Sequence, residues 1–380
     1  MAWWIKTDNL HGVQLNKKPF NFISLAPESI TAQISHIMNF RKVCTGLLLL
    51  FSTAVLSAQD IHFSQYYAAP LPLNPALTAG FNGKFRVAAN YRNQWFSFLK
   101  SSSFTTYAGS FDMRLLQKKL RYDRFGVGVH VFNDRAGDGA LTNLTVMAGA
   151  AYHKVLDEAS RFSLGLGANV GITQRRIDFT KLAFEEQFDQ NFGFDLSAPN
   201  GENIDRSSFI YPDFTVGILF RGRFTNSVTG YIGASMFHLH KPKEYFLTQT
   251  GDANRLSPRY TAHGGLDITL GEKIILTPGF LYLIQNTASE ITVGSALGFK
   301  VNKENTFYLG AWFRAFDKDA AIAMLAYEYD GLRVGVSYDI NLSDLKLASN
   351  SQGAIELSVI YIYGQEDERK FSPVDFCPKF

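Results

Sequence analysis

Long apolar runs are what this 380-residue chain lacks. After residue 58 nothing approaches the roughly 18 consecutive apolar residues that a membrane-spanning helix requires. Cysteine is also scarce: Cys44 and Cys377 are the two in the sequence. Cys44 falls in a stretch read below as removed, so the mature form holds one thiol. That excludes an intramolecular disulfide and leaves a free thiol or an intermolecular bond. Excess charge is missing too. The formal charge is +3, but residues 1–58 carry five of the 37 basic and two of the 34 acidic residues, leaving 32 of each. The basic balance belongs to the leader, and nothing points to nucleic acid. No nucleophile-elbow sequence is present. No catalytic residues, resident metal or cofactor are expected, and the chain does not read as an enzyme.

The N-terminus has three parts. Asn39–Lys42 is a short basic region, Val43–Leu56 an apolar core, and Leu56-Ser57-Ala58 a small-residue cleavage context before Gln59. This is the layout of a secretory signal peptide, with an apolar core too short to span a membrane as a helix. Such a peptide belongs at the start of a chain, yet 37 residues precede Met38. Residues 1–37 therefore read as an upstream extension, 38–58 as the signal peptide, and the mature chain begins near Gln59. Cys44 opens the apolar core rather than following it, which argues against a lipoprotein anchor.

Beyond residue 58 the dominant pattern is alternation at period two. Phe125, Val127, Val129 and Val131 oppose Gly126, Gly128 and His130; Phe162, Leu164, Leu166, Ala168, Val170 and Ile172 oppose Ser163, Gly165, Gly167, Asn169, Gly171 and Thr173. The same holds for Ile291, Val293, Leu297 and Phe299, and for Leu332, Val334, Val336, Tyr338 and Ile340. Alternation means strands with one greasy and one mixed face. About fourteen such segments follow, each near the length of a tilted membrane strand. They are expected near 84–95, 102–114, 123–133, 141–154, 160–173, 211–222, 227–241, 258–270, 273–285, 288–300, 304–314, 318–330, 331–341 and 352–363. The fold class is all-β: a transmembrane antiparallel β-barrel of about 14 strands over 84–363, because only a closed barrel satisfies every strand hydrogen bond in lipid.

Connection length supports this. The longest connections are the fifth (174–210), seventh (242–257) and thirteenth (342–351), all odd. Several even ones are tight turns: Arg223–Asn226, Gly271-Glu272, Asn302–Glu304 and Asp330-Gly331. Long loops outside and short turns inside is the outer-membrane pattern. Trp95, Phe96, Phe98, Trp312, Phe313, Tyr361 and Tyr363 fall near strand ends, where interface girdles sit, with core-filling the alternative for some of them. Lumen-side glycines read as relief of wall curvature ahead of room for an inserted segment.

Between signal and first strand lies an aromatic, proline-broken stretch, 59–83. Pro70, Pro72 and Pro75 rule out a central strand there, and Asn74-Pro75 marks a turn. Its apolar character suits burial, so it reads as a periplasmic, plug-like segment entering the lumen from the short-turn side. Arg86, Asn90 and Arg92 of the first strand are expected to line a pocket or, the favoured reading, to hydrogen-bond this segment. Here the chain resembles a known family. Phe63-Ser64-Gln65-Tyr66, Asn74-Pro75-Ala76, Gly80 and Tyr91-Arg92-Asn93-Gln94-Trp95, with Cys377-Pro378 and the final Phe380, resemble the PorP/SprF membrane proteins of the type IX secretion system. The Ala68–Pro72 stretch departs from that pattern, which favours a bulkier aromatic. The resemblance implies a Bacteroidetes outer-membrane protein. Some members work with periplasmic ring components; others help export and attach a large surface adhesin, through its C-terminal region, in gliding motility. The second job is the favoured expectation. A FadL-like transporter of hydrophobic small molecules and a ring-anchoring motor subunit are the alternatives.

The fifth connection is the candidate partner-binding loop. Phe184, Glu185, Glu186, Phe188, Asp189, Phe192, Phe194 and Asp195 interleave aromatics with carboxylates. A loop of this length clamps a partner, folds inward as a lid, or merely shields the rim. His238 and His240 share a face at i, i+2 but have no third ligand, and 133–139 is rich in Asp and Gly without calcium-loop spacing. Outer-membrane lipid is the remaining expected partner. The tail, 364–380, is placed in the periplasm, as a docking element, an assembly signal or a lid.

Overall fold

Alternation this regular leaves each strand one face for lipid and one for the interior, and the structure arranges the strands accordingly. The computed structural model describes residue 60 and residues 62–364, apart from 118, 121, 190–192, 196, 200, 202–205, 245, 247–254, 303, 316–318 and 345. The extension, the signal peptide, Phe192 and all of the tail after Gly364, Cys377 included, lie outside the described residues.

The strands are β1 Phe85–Gln94, β2 Phe104–Leu115, β3 Arg124–Ala136, β4 Leu141–Val155, β5 Phe162–Arg176, β6 Phe188–Asp189, β7 Gly193–Phe194 and β8 Ser208–Arg223. They continue with β9 Val228–Phe237, β10 Arg259–Leu270, β11 Ile274–Gln285, β12 Ala288–Lys300 and β13 Asn305–Arg314. The last are β14 Ala320–Tyr329, β15 Leu332–Asn341 and β16 Gln352–Tyr363. All except β6 and β7 form one closed antiparallel barrel of 14 strands in sequence order. Closure is direct: β1 pairs with β16 from Phe85↔Tyr363 to Gln94↔Ala354. Every expected strand is present.

Two boundaries shift for a local reason. β9 stops at Phe237 rather than 241, because His238 takes φ +56° and leaves the ladder. β8 begins at Ser208 rather than 211 and pairs with β5 along its whole length, but its ladder with β9 starts only at Val216↔Met236. Pro212 therefore lies where β8 has one barrel neighbour, the setting in which a missing N–H is tolerated.

Burial is inverted relative to a water-soluble protein. Leu166, Val170, Ile232, Leu309 and Leu325 are exposed on the outer wall, while Arg86, Asp112, Arg221, His263 and Glu356 are buried inside. Charged residues are almost never fully buried unless paired, and a contiguous apolar exterior suits lipid. Among the described residues no helix is long and apolar enough to cross a membrane.

The core sits inside the barrel. Tyr66, Tyr67, Leu73, Ala76 and Leu77 from the segment before β1 pack with Leu219, Tyr231, Leu281, Trp312, Ile322 and Met324 of the wall. That segment folds as three short turns, Tyr66–Ala68, Pro70–Leu73 and Pro75–Leu77. Proline begins two of them, where its missing N–H costs nothing.

Candidate functional site

The segment runs the length of the lumen. At one end Asp60 meets His238, Arg259 and Gln285, groups at the long-connection rim. At the other end Lys84 N–H donates to Tyr363 O at 2.8 Å, and β1 begins on the short-turn side. The expectation of a periplasmic segment entering from below is corrected here: its start lies at the long-connection mouth, and the chain descends through the barrel before β1 climbs back.

Three clusters of wall side chains hold it. In the uppermost, the carboxylate of Glu356 accepts the backbone N–H groups of Ser64 and Gln65, each at 2.9 Å. Arg92 donates to Ser64 Oγ at 2.6 Å, Glu356 at 3.2 Å and Asp339 at 2.9 Å. Ser64 Oγ donates to Asp339 at 2.7 Å, and Arg314 bridges Asp339, Asp319 and Glu290. Glu290 also pairs with His62 at 2.9 Å. Gln65 donates through Nε2 to Ser337 Oγ and Glu356 O, both at 3.2 Å, and accepts from Ser358 Oγ at 2.7 Å. Buried charges are tolerated only when paired in this way.

The middle cluster is built on Asn74. Its Oδ1 accepts from Ala76 N–H at 2.8 Å, which caps the Pro75–Leu77 turn. Its Nδ2 faces Ile218 O at 3.1 Å, Ala234 O at 3.2 Å and His263 Nε2 at 3.0 Å. The lowest cluster is a bidentate pair: Arg86 Nε and Nη2 each lie 2.9 Å from Asp112, which also accepts Ala79 N–H at 2.7 Å. Arg86 further donates to Leu77 O at 3.0 Å, and His153 Nε2 lies 2.8 Å from Thr78 O. Arg86 and Arg92 thus hold the segment, and Asn90 is buried on the same face.

Wall glycines make room for this backbone. A Cβ on Gly167 would lie 2.4 Å from Pro75 C, one on Gly126 2.1 Å from Ala79 Cβ, and one on Gly217 1.9 Å from Asn74 Oδ1. The sequence reading ranked curvature first; close approach of the segment is what these positions require. A cavity beside the segment, lined by Phe63, Tyr66, Phe132 and Leu283 among others, measures about 50 Å³. That is room for a water or two and far below a ligand pocket of several hundred Å³.

Tyr91 faces outward and packs on Tyr107, with ring centroids 5.1 Å apart. Gln94 ends β1. Trp95 turns out of the strand at φ +60° and packs on Phe104 at 4.9 Å. Phe63, Ser64, Gln65, Tyr66, Pro75, Ala76 and Gly80 are buried in the lumen.

His238 and His240 do not form the i, i+2 pair. His238 Nε2 lies 2.6 Å from Asp60 and its Nδ1 2.8 Å from Asp213, whereas His240 stands edge-on to Phe214. Burial opposes the imidazolium, but the Asp60 and Asp213 carboxylates overcome it and raise His238 to about 9. Burial likewise opposes the Asp60 carboxylate, yet His238 and Arg259 hold it well below the usual range. In the Asp-rich turn, Asp134 accepts from Thr106 inside and Asp138 from Ser102, so the two carboxylates diverge.

The fifth connection is not structureless. Glu185–Gln187 forms a single turn, and β6 pairs with β7 as a small hairpin. Phe188 and Phe194 stack edge to face at 5.0 Å, and both are about half exposed (52% and 48%). Phe184 is half-buried, Glu185, Glu186, Asp189 and Asp195 are exposed, and Gln187 is anchored to Ala198 O at 2.8 Å. The loop is tied to the seventh connection: Arg175 pairs with Glu244, and Phe246 packs on Phe209 and Phe179.

A barrel filled by a motif-bearing N-terminal segment matches one family model, that of the type IX secretion system membrane protein PorP/SprF, over residues 55–361. The chain belongs to that family. A search among curated proteins yields no match. Among solved structures, this PorP/SprF chain is similar to the toluene transporter TbuX of Ralstonia pickettii, at 9% identity and TM-score 0.44, covering 77% of this chain and 92% of that one. It is also similar to the toluene transporter TodX of P. putida, at 9% and 0.44, covering 78% and 94%. A Pseudomonas aeruginosa FadL homologue is similar at 12% and 0.41, covering 76% and 93%.

Proposed function

We propose that this PorP/SprF protein is an outer-membrane barrel that captures a type IX secreted surface protein at its long-connection mouth and holds it there, the partner being a motility adhesin engaged through its C-terminal region. Localisation to the outer membrane, with a cleaved signal peptide and mature chain from about Gln59, is part of the same proposal. One observation carries it: the lumen is occupied end to end by residues 62–83, while the mouth offers an exposed aromatic pair, Phe188 and Phe194, set among carboxylates. A filled lumen suits holding over conducting, and exposed aromatics near the centre of a contact carry most of a binding interface's energy. In this reading residues 62–83 act as a permanent plug and give the mouth a rigid floor.

The test is gentle detergent purification of the tagged protein from its native membrane, with mass spectrometry of what remains bound. A very large surface protein in near-equal amount is the expected result. Ring lipoproteins alone would replace this reading with a motor subunit, and co-purifying fatty acid with a transporter. Replacing Phe188 and Phe194 together by Ala should weaken adhesin retention at least about tenfold, with barrel folding unchanged.

A further inference from the structure

The outer wall of β3, β4 and β5 changes character toward the long-connection rim. The last outward-facing rung there is Arg135↔Thr142↔Arg176, and the next is Asn133↔Leu144↔Gln174. Arg135 and Arg176 are exposed, and neither has an ion-pair partner among the described residues. Two strand spacings set their backbones about 10 Å apart with a threonine hydroxyl between. The turn Phe179–Lys181 folds beside them: Asp178 N–H donates to Gly139 O at 2.8 Å, bringing up Lys181. The result is a cleft of about 430 Å³ with three cations against one carboxylate, Asp178, which is already paired with Lys181 at 3.2 Å.

Below this cleft the same face turns apolar and then small. Val146↔Ile172 follows, then Ala148↔Val170 and Ala150↔Ala168. The alanines leave a groove of about 640 Å³ in the wall, bounded by Phe214, Val216 and Leu239. From Thr142 to Ala150 the strand covers about 27 Å, or about 20 Å of depth at a tilt near 40°. That exceeds one leaflet of a core about 30 Å thick.

We infer that this face binds one phosphorylated glycolipid of the outer leaflet, with its phosphate between Arg135 and Arg176 and an acyl chain in the Ala148–Ala150–Ala168 groove. The inference rests on the reading of the long connections as outward. Guanidinium groups are the side chains best matched to phosphate oxygens, and unpaired ones at a lipid boundary seek an anion. Cation cleft and groove share one wall in the order in which head and tail of a lipid lie, which a free phosphate would not need. The adhesin contact is separate, since Phe188 and Phe194 lie further along the fifth connection.

The test uses the purified full chain in detergent, native mass spectrometry, and three probes: a lipid A-type glycolipid, its dephosphorylated form, and inorganic pyrophosphate. The intact protein should retain one phosphorylated glycolipid, with the dephosphorylated form and the Arg135→Ala/Arg176→Ala variant each weaker by at least about tenfold. Ala168→Trp, which blocks the groove from the lipid side, should weaken retention while leaving the arginines in place. Equal retention by the double-arginine variant would overturn the inference, as would glycolipid retention that Ala168→Trp leaves untouched, and pyrophosphate bound as tightly as the glycolipid would replace the lipid with a free phosphate. An epitope inserted after Asp138 separates the two levels. Surface staining on intact cells with arginine-insensitive lipid binding sinks the lipid site alone; no staining sinks the outward orientation itself.

Discussion

Glu356 shows how much one side chain carries here. It holds two successive backbone N–H groups of the segment and one arginine, all away from water. Glu356→Ala should leave Arg92 with Asp339 as its one carboxylate, beside Ser64 Oγ, and orphan both amides, a loss of about 3–5 kcal/mol. Glu356→Gln keeps one acceptor and should lose less. The measurement is the denaturant midpoint of the folded barrel in micelles, together with protease cleavage of the segment. Equal midpoints for wild type and alanine variant would refute it. His238 gives a prediction with a sign. Its folded value near 9 lies above the ordinary 6.5, so its contribution is complete below about pH 6.5 and is lost as pH rises through about 9. Asp60, Asp213, Arg259 and the more distant Arg175 surround it. The start of the segment should therefore loosen between about pH 7 and 10 in the intact protein. His238→Gln should flatten that dependence, read as midpoint against pH; an unchanged slope would exclude His238 as its source.

At the scale of elements the strands were readable and their contents were not. Fourteen alternating segments and loop parity were enough to fix strand number and connectivity, because period two is a local property. The halt of β9 at Phe237 was missed: nothing in His238 announces a left-handed backbone, which arises from its two carboxylate partners on other elements. The β6–β7 hairpin escaped notice because two-residue strands have no period. Burial of the FSQY and NPA motifs was legible from their apolar character, but the direction of travel through the lumen depends on long-range partners such as Glu356 and Gln285. The glycines separate the two kinds of knowledge. Period two places Gly167 on the lumen face and Gly109 on the outer one, but only the structure shows that an added Cβ meets Pro75 and Ala76 backbone at 2.4–2.5 Å in the first case and a single methyl at 3.9 Å in the second. Gly167→Ala should therefore displace the NPA turn at a cost of about 1–3 kcal/mol, while Gly109→Ala should be near neutral. Comparable midpoints for the two variants would show that the wall yields instead.

For the molecule as a whole, the central question is whether a 14-stranded barrel conducts. An empty barrel of this size would pass ions, since wider barrels leave water-filled channels. Here the interior is crossed by Tyr66, Tyr67, Leu71, Leu77 and Phe81, all nearly inaccessible to solvent. Each such side chain contributes about 1.5–3 kcal/mol by staying buried, so spontaneous withdrawal of the segment is rare. The carboxylates of Glu356 and Asp112, which accept backbone N–H groups of the segment, anchor it near opposite ends of the lumen, so full release requires both sets of hydrogen bonds to break. Planar-bilayer recordings of the wild type should show little or no steady conductance. Glu356→Ala, which frees the upper anchor and leaves Arg86–Asp112 intact, should produce intermittent openings whose frequency rises with denaturant well below the unfolding midpoint. The matched Asp112→Ala variant should open from the other end, and the two changes together should act more than additively, because either anchor alone still retains the segment. Steady large conductance in the wild type would mean that the segment leaves the lumen in a bilayer. The holding role would then lose its rigid floor, and a conducting role would take its place.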